Sequence, residues 1–379
     1  MSNHLLDLPT IQMEKSTNFS TLFINGKFLT QSVTGVQRYS YELLNTLDEM
    51  IESQEINLRL KNIICLVPKS VKKLPSWKHI EIRKVGFFQG NIWEQFCLPF
   101  YVKNGLLFSP ANIGPYFVKN QVVTMHDASV CAVPEAYSTA FKLKYKIIMK
   151  RLGKTAKSII TVSEFSKSEL IKYFKIHPTR INVILLGSEH IQRIVPDPNI
   201  IKSRNLDTKP FFLSVGSNSP HKNVKIIYEA MNYFTNPEFN VVIAGGSNNL
   251  VFNDLEFHNK ENIIALGYVS DAELRTLYEN AIGYIFPSKY EGFGLPILEA
   301  LSFGCPVISS NSASLPEVGL NNVEYFDPSD AKFLADKMKD LQKFQGKRIN
   351  PEVISNFSWK NTVKEFVKLI NNLNDSSNN

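Results

Sequence analysis

The chain has 379 residues, 44% of them apolar, and a formal net charge of +7. This suits two ordinary domains, each with its own core, and excludes a largely disordered chain. Four widely separated cysteines, Cys65, Cys97, Cys131 and Cys305, without a C-x-x-C pair, exclude a disulfide scaffold and a structural zinc site and fit a reducing cytosol. No basic segment followed by an apolar one opens the chain, and no apolar run approaches the ~20 residues of a spanning helix. The sequence therefore reads as soluble and cytoplasmic, at most peripheral at the inner face of the cell membrane. Positive charge alone does not choose among nucleic acid, anionic lipid and phosphorylated substrates.

Residues 1–20 carry no periodic pattern and read as a loosely ordered extension. Thr21 to Asn25 predicts a strand, and Gly26 to Gly35 a loop leading into a helix near Gln37 to Glu52. Asn62 to Val67, Leu106 to Phe108, Val122 to Met125 and Ser158 to Val162 predict further buried strands. Ser163-Glu164-Phe165-Ser166 is a capping sequence ahead of a helix over Lys167 to Phe174. The first domain thus spans 21–190. Periodicity lapses around Pro196 and Pro198, which predicts a linker over 191–210.

A second strand-loop-helix series over 211–355 begins with Phe211 to Val215 and a helix over Val224 to Tyr233. It continues with strands at Asn240 to Ala244 and Ile263 to Leu266 and a capping box in Ser270-Asp271-Ala272-Glu273. Tyr284 to Phe286 is a strand, Pro296 to the Gly304 stop a helix of about two turns, and Pro306 to Ser309 a strand followed by a loop through Leu315-Pro316-Glu317-Val318. A last helix over 356–373 is expected to pack back toward the first domain, and 374–379 is a frayed polar tail. The alternation predicts an α/β protein with parallel sheets, helices on both faces and ligands at the carboxyl ends of strands.

The stretch from Tyr284 to Ser309 holds two carboxylates, Glu291 in the loop and Glu299 in the helix, where such units usually have apolar or small residues. Gly292 and Gly294 let the backbone approach a ligand, the N–H groups there suit a phosphate, and Glu299 suits paired ribose hydroxyls. The bland reading makes Glu291 a turn residue and Glu299 a solvated helix position. With no third acidic or histidine ligand nearby and no D-x-D triplet, no metal site is expected. Lys222 suits a diphosphate, against a solvated surface lysine. His126, ending an apolar strand, suits a sugar hydroxyl or leaving group, against a satisfied structural histidine. Gly35 and Arg38 offer a close backbone and a cation at the mouth of the first domain, against a plain helix start with a surface arginine. The basic amphipathic helix Lys142–Lys154 suits an anionic membrane surface, against a solvated face over a core stripe. Nothing in the cation pattern points to nucleic acid.

These residues resemble the retaining glycosyltransferases of family 4, whose GT-B fold sets two Rossmann-like parallel-sheet domains face to face across a cleft. The similarity covers roughly residues 22–370. It rests on the E-x7-E signature from Glu291 to Glu299, on Gly304-Cys305-Pro306-Val307-Ile308 and on Leu315-Pro316-Glu317-Val318. Thr34-Gly35-Val36-Gln37-Arg38-Tyr39, His126-Asp127, Val162-Ser163-Glu164-Phe165-Ser166 and Pro220-His221-Lys222-Asn223 add to it. The kinship is with bacterial enzymes of O-antigen and capsule polysaccharide assembly.

The resemblance implies retaining, same-face transfer of a hexose-type sugar from a nucleoside diphosphate sugar to a lipid-linked glycan acceptor, with no metal or other cofactor. It makes Glu291, His126 and Lys222 catalytic and places Glu299 on the ribose. Backbone donors come from Gly292, Phe293, Gly294 and Leu295, and Gly216, Gly35 and Arg38 line the substrate. One departure is visible: many members have arginine after the first glycine of the phosphate loop and again where His221 stands, whereas Ser217, Asn218 and His221 occupy it here. A nucleotide-sugar epimerase, a glycan phosphorylase or a non-catalytic nucleotide-sugar-binding relative are the alternatives. A dinucleotide oxidoreductase is not supported, since no G-x-G-x-x-G follows the first strand. The geometric expectation is one interdomain cavity walled by Gly35, Arg38 and His126 on one side and Glu291 to Glu299 on the other, with Lys222 as its floor.

Overall fold

Short apolar runs without alternation need burial on both faces, and the chain meets that need with two parallel sheets. A computed structural model describes residues 19–217, 219–245, 261–343 and 348–375. The first sheet comprises β1 (Thr21–Asn25), β2 (Asn62–Pro68), β3 (Glu81–Val85), β4 (Leu106–Ser109), β5 (Gln121–Thr124), β6 (Ser158–Thr161) and β7 (Ile181–Val183). Their order is β3-β2-β1-β4-β5-β6-β7, parallel throughout. The second sheet comprises β8 (Phe211–Val215), β9 (Asn240–Ala244), β10 (Ile263–Gly267), β11 (Gly283–Phe286), β12 (Val307–Ser310) and β13 (Val323–Phe326), ordered β10-β9-β8-β11-β12-β13 and again parallel. The protein has the GT-B architecture of two Rossmann-like domains. Each sheet reverses its strand order once, between β1 and β4 and between β8 and β11, and the crevice at such a reversal is where open α/β sheets bind ligands.

The helix Trp359–Asp375 leaves the second half and lies on the first, beside the helix Gly35–Glu52. Trp359, Val363, Phe366 and Ile370 recur at i, i+4, i+7 and i+11, all fully buried, and Phe366 meets Phe108 of β4 with ring centroids 4.6 Å apart. Side chains of this size stabilise by ~1.5–3 kcal/mol each when buried, so this helix is a structural part of the first half. Phe19 donates its N–H to Asn374 Oδ1 at 2.8 Å, tying the start of the described chain to the same helix.

Several elements differ from the sequence reading. Leu315–Gly319 is a helix rather than a loop, because Pro316 occupies a first-turn position where its missing N–H costs nothing. The helix expected over Val224 to Tyr233 is Lys225–Ala230, flanked by 3-10 turns at Pro220–Lys222 and Met231–Tyr233. Lys222 therefore precedes the helix, and Asn223 makes the left-handed turn (φ 54°) between them. The aperiodic segment after Gly187 carries two short helices, Glu189–Gln192 and Asn199–Ser203. The last helix runs on to Asp375, with Asn374 buried. Residues 1–18 of the expected extension and 376–379 of the expected tail lie outside the described residues.

Candidate active site

Two loops at the carboxyl edge of the second sheet's reversal point form the centre. The loop after β8 brings Lys222 and the loop after β11 brings Glu291, and Lys222 Nζ meets Glu291 Oε1 at 2.6 Å, both side chains mostly shielded. The Glu291 loop is held by Ser314, whose hydroxyl lies 2.9 Å from the Glu291 carbonyl and 2.7 Å from that of Phe293. Gly294 adopts φ 117°, a left-handed value that favours glycine, and starts the helix Leu295–Ser302. Phe293 is buried edge-on to Phe357, and Leu295 is buried as the first helical residue. Gly216, at the end of β8, leaves room for the Lys222 stem, with the nearest atom 3.8 Å from where a Cβ would stand.

Near Lys222, two buried polar atoms have no partner among the described residues: His221 Nδ1 and Ser288 Oγ. Burial, and then the Lys222 ammonium, hold the His221 pKa below its ordinary value. Unpaired buried polar atoms beside an ammonium at a strand-order reversal fit an anionic ligand. Asn218, part of the divergent phosphate loop, lies outside the described residues. Among the described residues, no cluster of three or more His, Cys, Asp or Glu side chains could hold a metal.

Glu299 is neither exposed nor free. His190, from the aperiodic segment, donates through Nε2 to Glu299 Oε1 at 3.0 Å, and Tyr278 donates its hydroxyl to Oε2 at 3.1 Å. Trp359 Nε1–H points at His190 Nδ1 at 3.3 Å, which leaves the histidine proton on Nε2, where Glu299 needs it. Burial and the Glu299 charge push the Tyr278 pKa far up, so its hydroxyl keeps the proton it donates. The carboxylate is thus aimed from both sides, with remaining lone pairs available to paired hydroxyls.

The first half approaches this centre through main chain. A Cβ on Gly292 would meet the His126 carbonyl at 2.6 Å and Asp127 Cβ at 3.0 Å, so only glycine allows this approach. The Gly292 carbonyl accepts from Ser163 Oγ at 2.7 Å, and Ser166 Oγ lies 2.9 Å from it and 2.8 Å from the His126 carbonyl. Glu317 accepts the amino-end N–H groups of Glu164 and Phe165 at 2.8 and 2.7 Å, capping the helix Glu164–Phe174 from the opposite half. The His126 imidazole is engaged within the first half. Its Nε2 is bonded to the Pro110 carbonyl at 3.0 Å, its ring is edge-on to Tyr39 at 4.7 Å, and burial holds its pKa below the ordinary value. It is the His126 main chain that reaches the loop.

Arg38 pairs with Asp271 of the second half and, at 3.6 Å, with Glu42. Burial lowers its pKa, but these carboxylates and the field of Glu299 raise it on balance, so the cation stays on the cleft wall. Gly35 starts its helix exposed, with nothing within 4 Å of a Cβ position. The structure therefore joins Lys222 with Glu291 and Gly292 with the His126 backbone, and leaves Gly35 at the open rim. Sequence reasoning missed His190, Tyr278, Ser288, Asp271 and Ser314. It read Ser163 and Ser166 as a capping sequence and a piece of the family resemblance, not as donors to the Gly292 carbonyl.

Two facing parallel-sheet domains meet here, with a lysine-carboxylate pair at one reversal point and the other domain's main chain against it, in the GT-B arrangement. Residues 197–352 match the family model for glycosyl transferases group 1. The chain is 29% identical over 365 residues to O-antigen chain mannosyltransferase B of Escherichia coli, covering 88% of this chain and 95% of that protein. It is 25% identical over 352 residues to O-antigen chain mannosyltransferase RfbU of Salmonella typhimurium, covering 89% and 94%. Sucrose-phosphate synthase from Thermosynechococcus elongatus superposes with a TM-score of 0.70 at 17% identity, covering 94% of this chain and 99% of that one. The chain is a glycosyltransferase, and it resembles the O-antigen enzymes.

Proposed function

We propose that the protein is a retaining mannosyltransferase, moving mannose from a nucleoside diphosphate donor to a lipid-linked glycan acceptor in O-antigen or related surface polysaccharide assembly. The observation that carries the sugar and the pathway is the near full-length similarity to two O-antigen mannosyltransferases. In this reading the ribose hydroxyls sit on Glu299, which His190 and Tyr278 orient, and the diphosphate sits over Lys222, drawing His221 Nδ1 and Ser288 Oγ into hydrogen bonds. The ammonium and the main-chain N–H groups from Gly292 to Leu295 meet the charge that grows on the leaving diphosphate, in place of a metal. Glu291, released from Lys222 by the donor, accepts from the sugar hydroxyls. The acceptor hydroxyl attacks the face from which the diphosphate departs, and its proton leaves with the diphosphate. The His126 backbone and Arg38 line the acceptor side. The enzyme works at the inner face of the cell membrane, with the basic helix Lys142–Lys154 on anionic lipid.

Thermal shift against a panel of nucleoside diphosphate sugars identifies the donor, and a mannose donor is expected to give the largest rise. Transfer of labelled sugar to a lipid-linked acceptor, with the anomeric configuration of the product read by NMR, then tests the reaction. Glu291→Gln should abolish transfer while keeping the fold, and His221→Ala should weaken donor binding. A Glu291→Gln enzyme with full turnover, an inverted product, or activity abolished by a chelator would each overturn the corresponding part.

A further inference from the structure

Of the six phenylalanines that stand exposed among the described residues, five lie on one region of the first half, between Phe87 and Phe117. The segment from Gly90 to Phe100 explains this. Its inner side is anchored by Trp93, Glu94 and Leu98, each fully buried: Trp93 Nε1 donates to the Val85 carbonyl at 2.8 Å, and Glu94 pairs with Lys27 at 2.6 Å. Four residues apart on its outer side stand Ile92, Phe96 and Phe100, which are 56%, 62% and 71% exposed. A firmly anchored segment that turns a buried charge inward and a stripe of aromatics outward is not a loose loop.

The stripe continues onto its neighbours. Gln95 bonds the Gly114 carbonyl and the Tyr116 N–H at 3.1 and 2.9 Å, and Phe117 beside them is 73% exposed. Arg151 lies over the Tyr116 ring at 5.3 Å, which brings in the helix Thr139–Thr155. That helix exposes Leu143 and Ile147 together with Lys146, Lys150 and Lys154, and contains no acidic residue. Water-facing monomers rarely keep so many large apolar side chains in one region. Apolar side chains beside a helix whose charged residues are all cations have the chemistry of an interfacial lipid-binding surface, in which aromatics enter the headgroup boundary and cations meet anionic lipid. A stacked series, Tyr137 on Phe141 at 5.2 Å and Phe141 on Tyr145 at 4.1 Å, connects this region with the cleft, where Tyr137 senses Asp127 and Glu291.

We propose that Phe96, Phe100 and Phe117 insert into an anionic lipid bilayer, with Leu143 and Ile147 and their flanking lysines beside them, and so present the cleft mouth to the membrane surface. This deepens the membrane contact proposed above, by naming aromatic anchors on a second element, and rests on it. The test is co-sedimentation of the full chain with vesicles of phosphatidylcholine alone and of phosphatidylcholine with phosphatidylglycerol, using wild type, Phe96→Ser/Phe100→Ser and Lys146→Glu/Lys150→Glu. Expected are binding to the anionic vesicles, a loss of at least about tenfold in partitioning for each double variant, and unchanged melting temperature and nucleotide binding. Wild-type binding that the phenylalanine variant retains overturns the insertion. So does an absence of wild-type binding to the anionic vesicles, and a concentration-dependent self-association that the same variant abolishes would then make this face a contact between copies. Failure of the sugar-transfer reading would appear in donor binding and turnover on a water-soluble acceptor, and would leave the vesicle result untouched.

Discussion

Glu317 offers the sharpest handle on how the halves come together. Its two oxygens accept from the N–H groups of Glu164 and Phe165 across the cleft, at the positive end of an 11-residue helix. When the halves separate those N–H groups turn to water, so the interaction is lost only from the closed arrangement. Charge-assisted hydrogen bonds reach about 1.5–3 kcal/mol each, and losing a cap costs ~1 kcal/mol. Because Glu164 is solvent-exposed, we take about 1–2 kcal/mol for the pair of bonds. Glu317→Ala should therefore shift the closure equilibrium roughly 5–30-fold toward the open arrangement. The readouts are kcat/KM for the donor, which should fall by a similar factor, and the radius of gyration by small-angle scattering, which should rise. Glu317→Gln, which keeps one acceptor but drops the charge, should lie between. A Glu317→Ala enzyme with wild-type kcat/KM and scattering would refute the reasoning.

His190→Ala should raise the donor KM and weaken nucleotide binding by about tenfold with a smaller effect on kcat, because the loss is in how Glu299 is aimed. His190→Gln, which can still donate, should recover part of the calorimetrically measured affinity. Gly292→Ala places a Cβ 2.6 Å from the His126 carbonyl, so transfer should collapse. A Gly292→Ala enzyme with wild-type turnover would show that the halves need not approach this closely. Burial depresses the folded pKa of His126, and burial and Lys222 that of His221. As pH falls through about 6.5 the unfolded chain therefore takes up protons that the folded imidazoles refuse, and stability should drop, with no slope from these groups above about pH 7.5. Melting temperatures measured from about pH 7.5 to about 5.5 should fall less in His126→Gln if this sign is right.

How much of this was legible in the chain depended on burial. β1, β8 and β9 match their expected bounds because each is buried on both faces and reads as an unbroken apolar run. β3 was missed: Glu81-Ile-Arg-Lys-Val is an edge strand with mostly exposed, charged side chains. β7 has three residues and β13 four, buried only at its ends, so neither stood out. At the site, the Glu291 loop, Glu299 and Lys222 were readable because charged residues at strand ends contradict local packing needs. His190 lay in an aperiodic segment where nothing marks a buried imidazole. The contacts of the Gly292 and His126 carbonyls, and of the Glu164 and Phe165 N–H groups, involve main-chain atoms that carry no residue identity. Only the fold could show them.

The return of the last helix has a mechanical consequence. The chain passes between the halves twice, once near Gly187 and once at Ser358–Trp359, and the two passages touch. Glu189 accepts the Trp359 N–H at 3.0 Å, and a Cβ on Gly187 would collide with the Trp359 nitrogen. Two covalent crossings side by side act like adjacent pins of a door. They leave the second half one axis on which to swing, running through the Gly187 backbone and close to His190. Opening about that axis would move Glu299, tied to His190 beside the crossings, less than it would part Glu317 and Gly292 from the first half, so the nucleotide end of the site can stay assembled while the sugar end gapes.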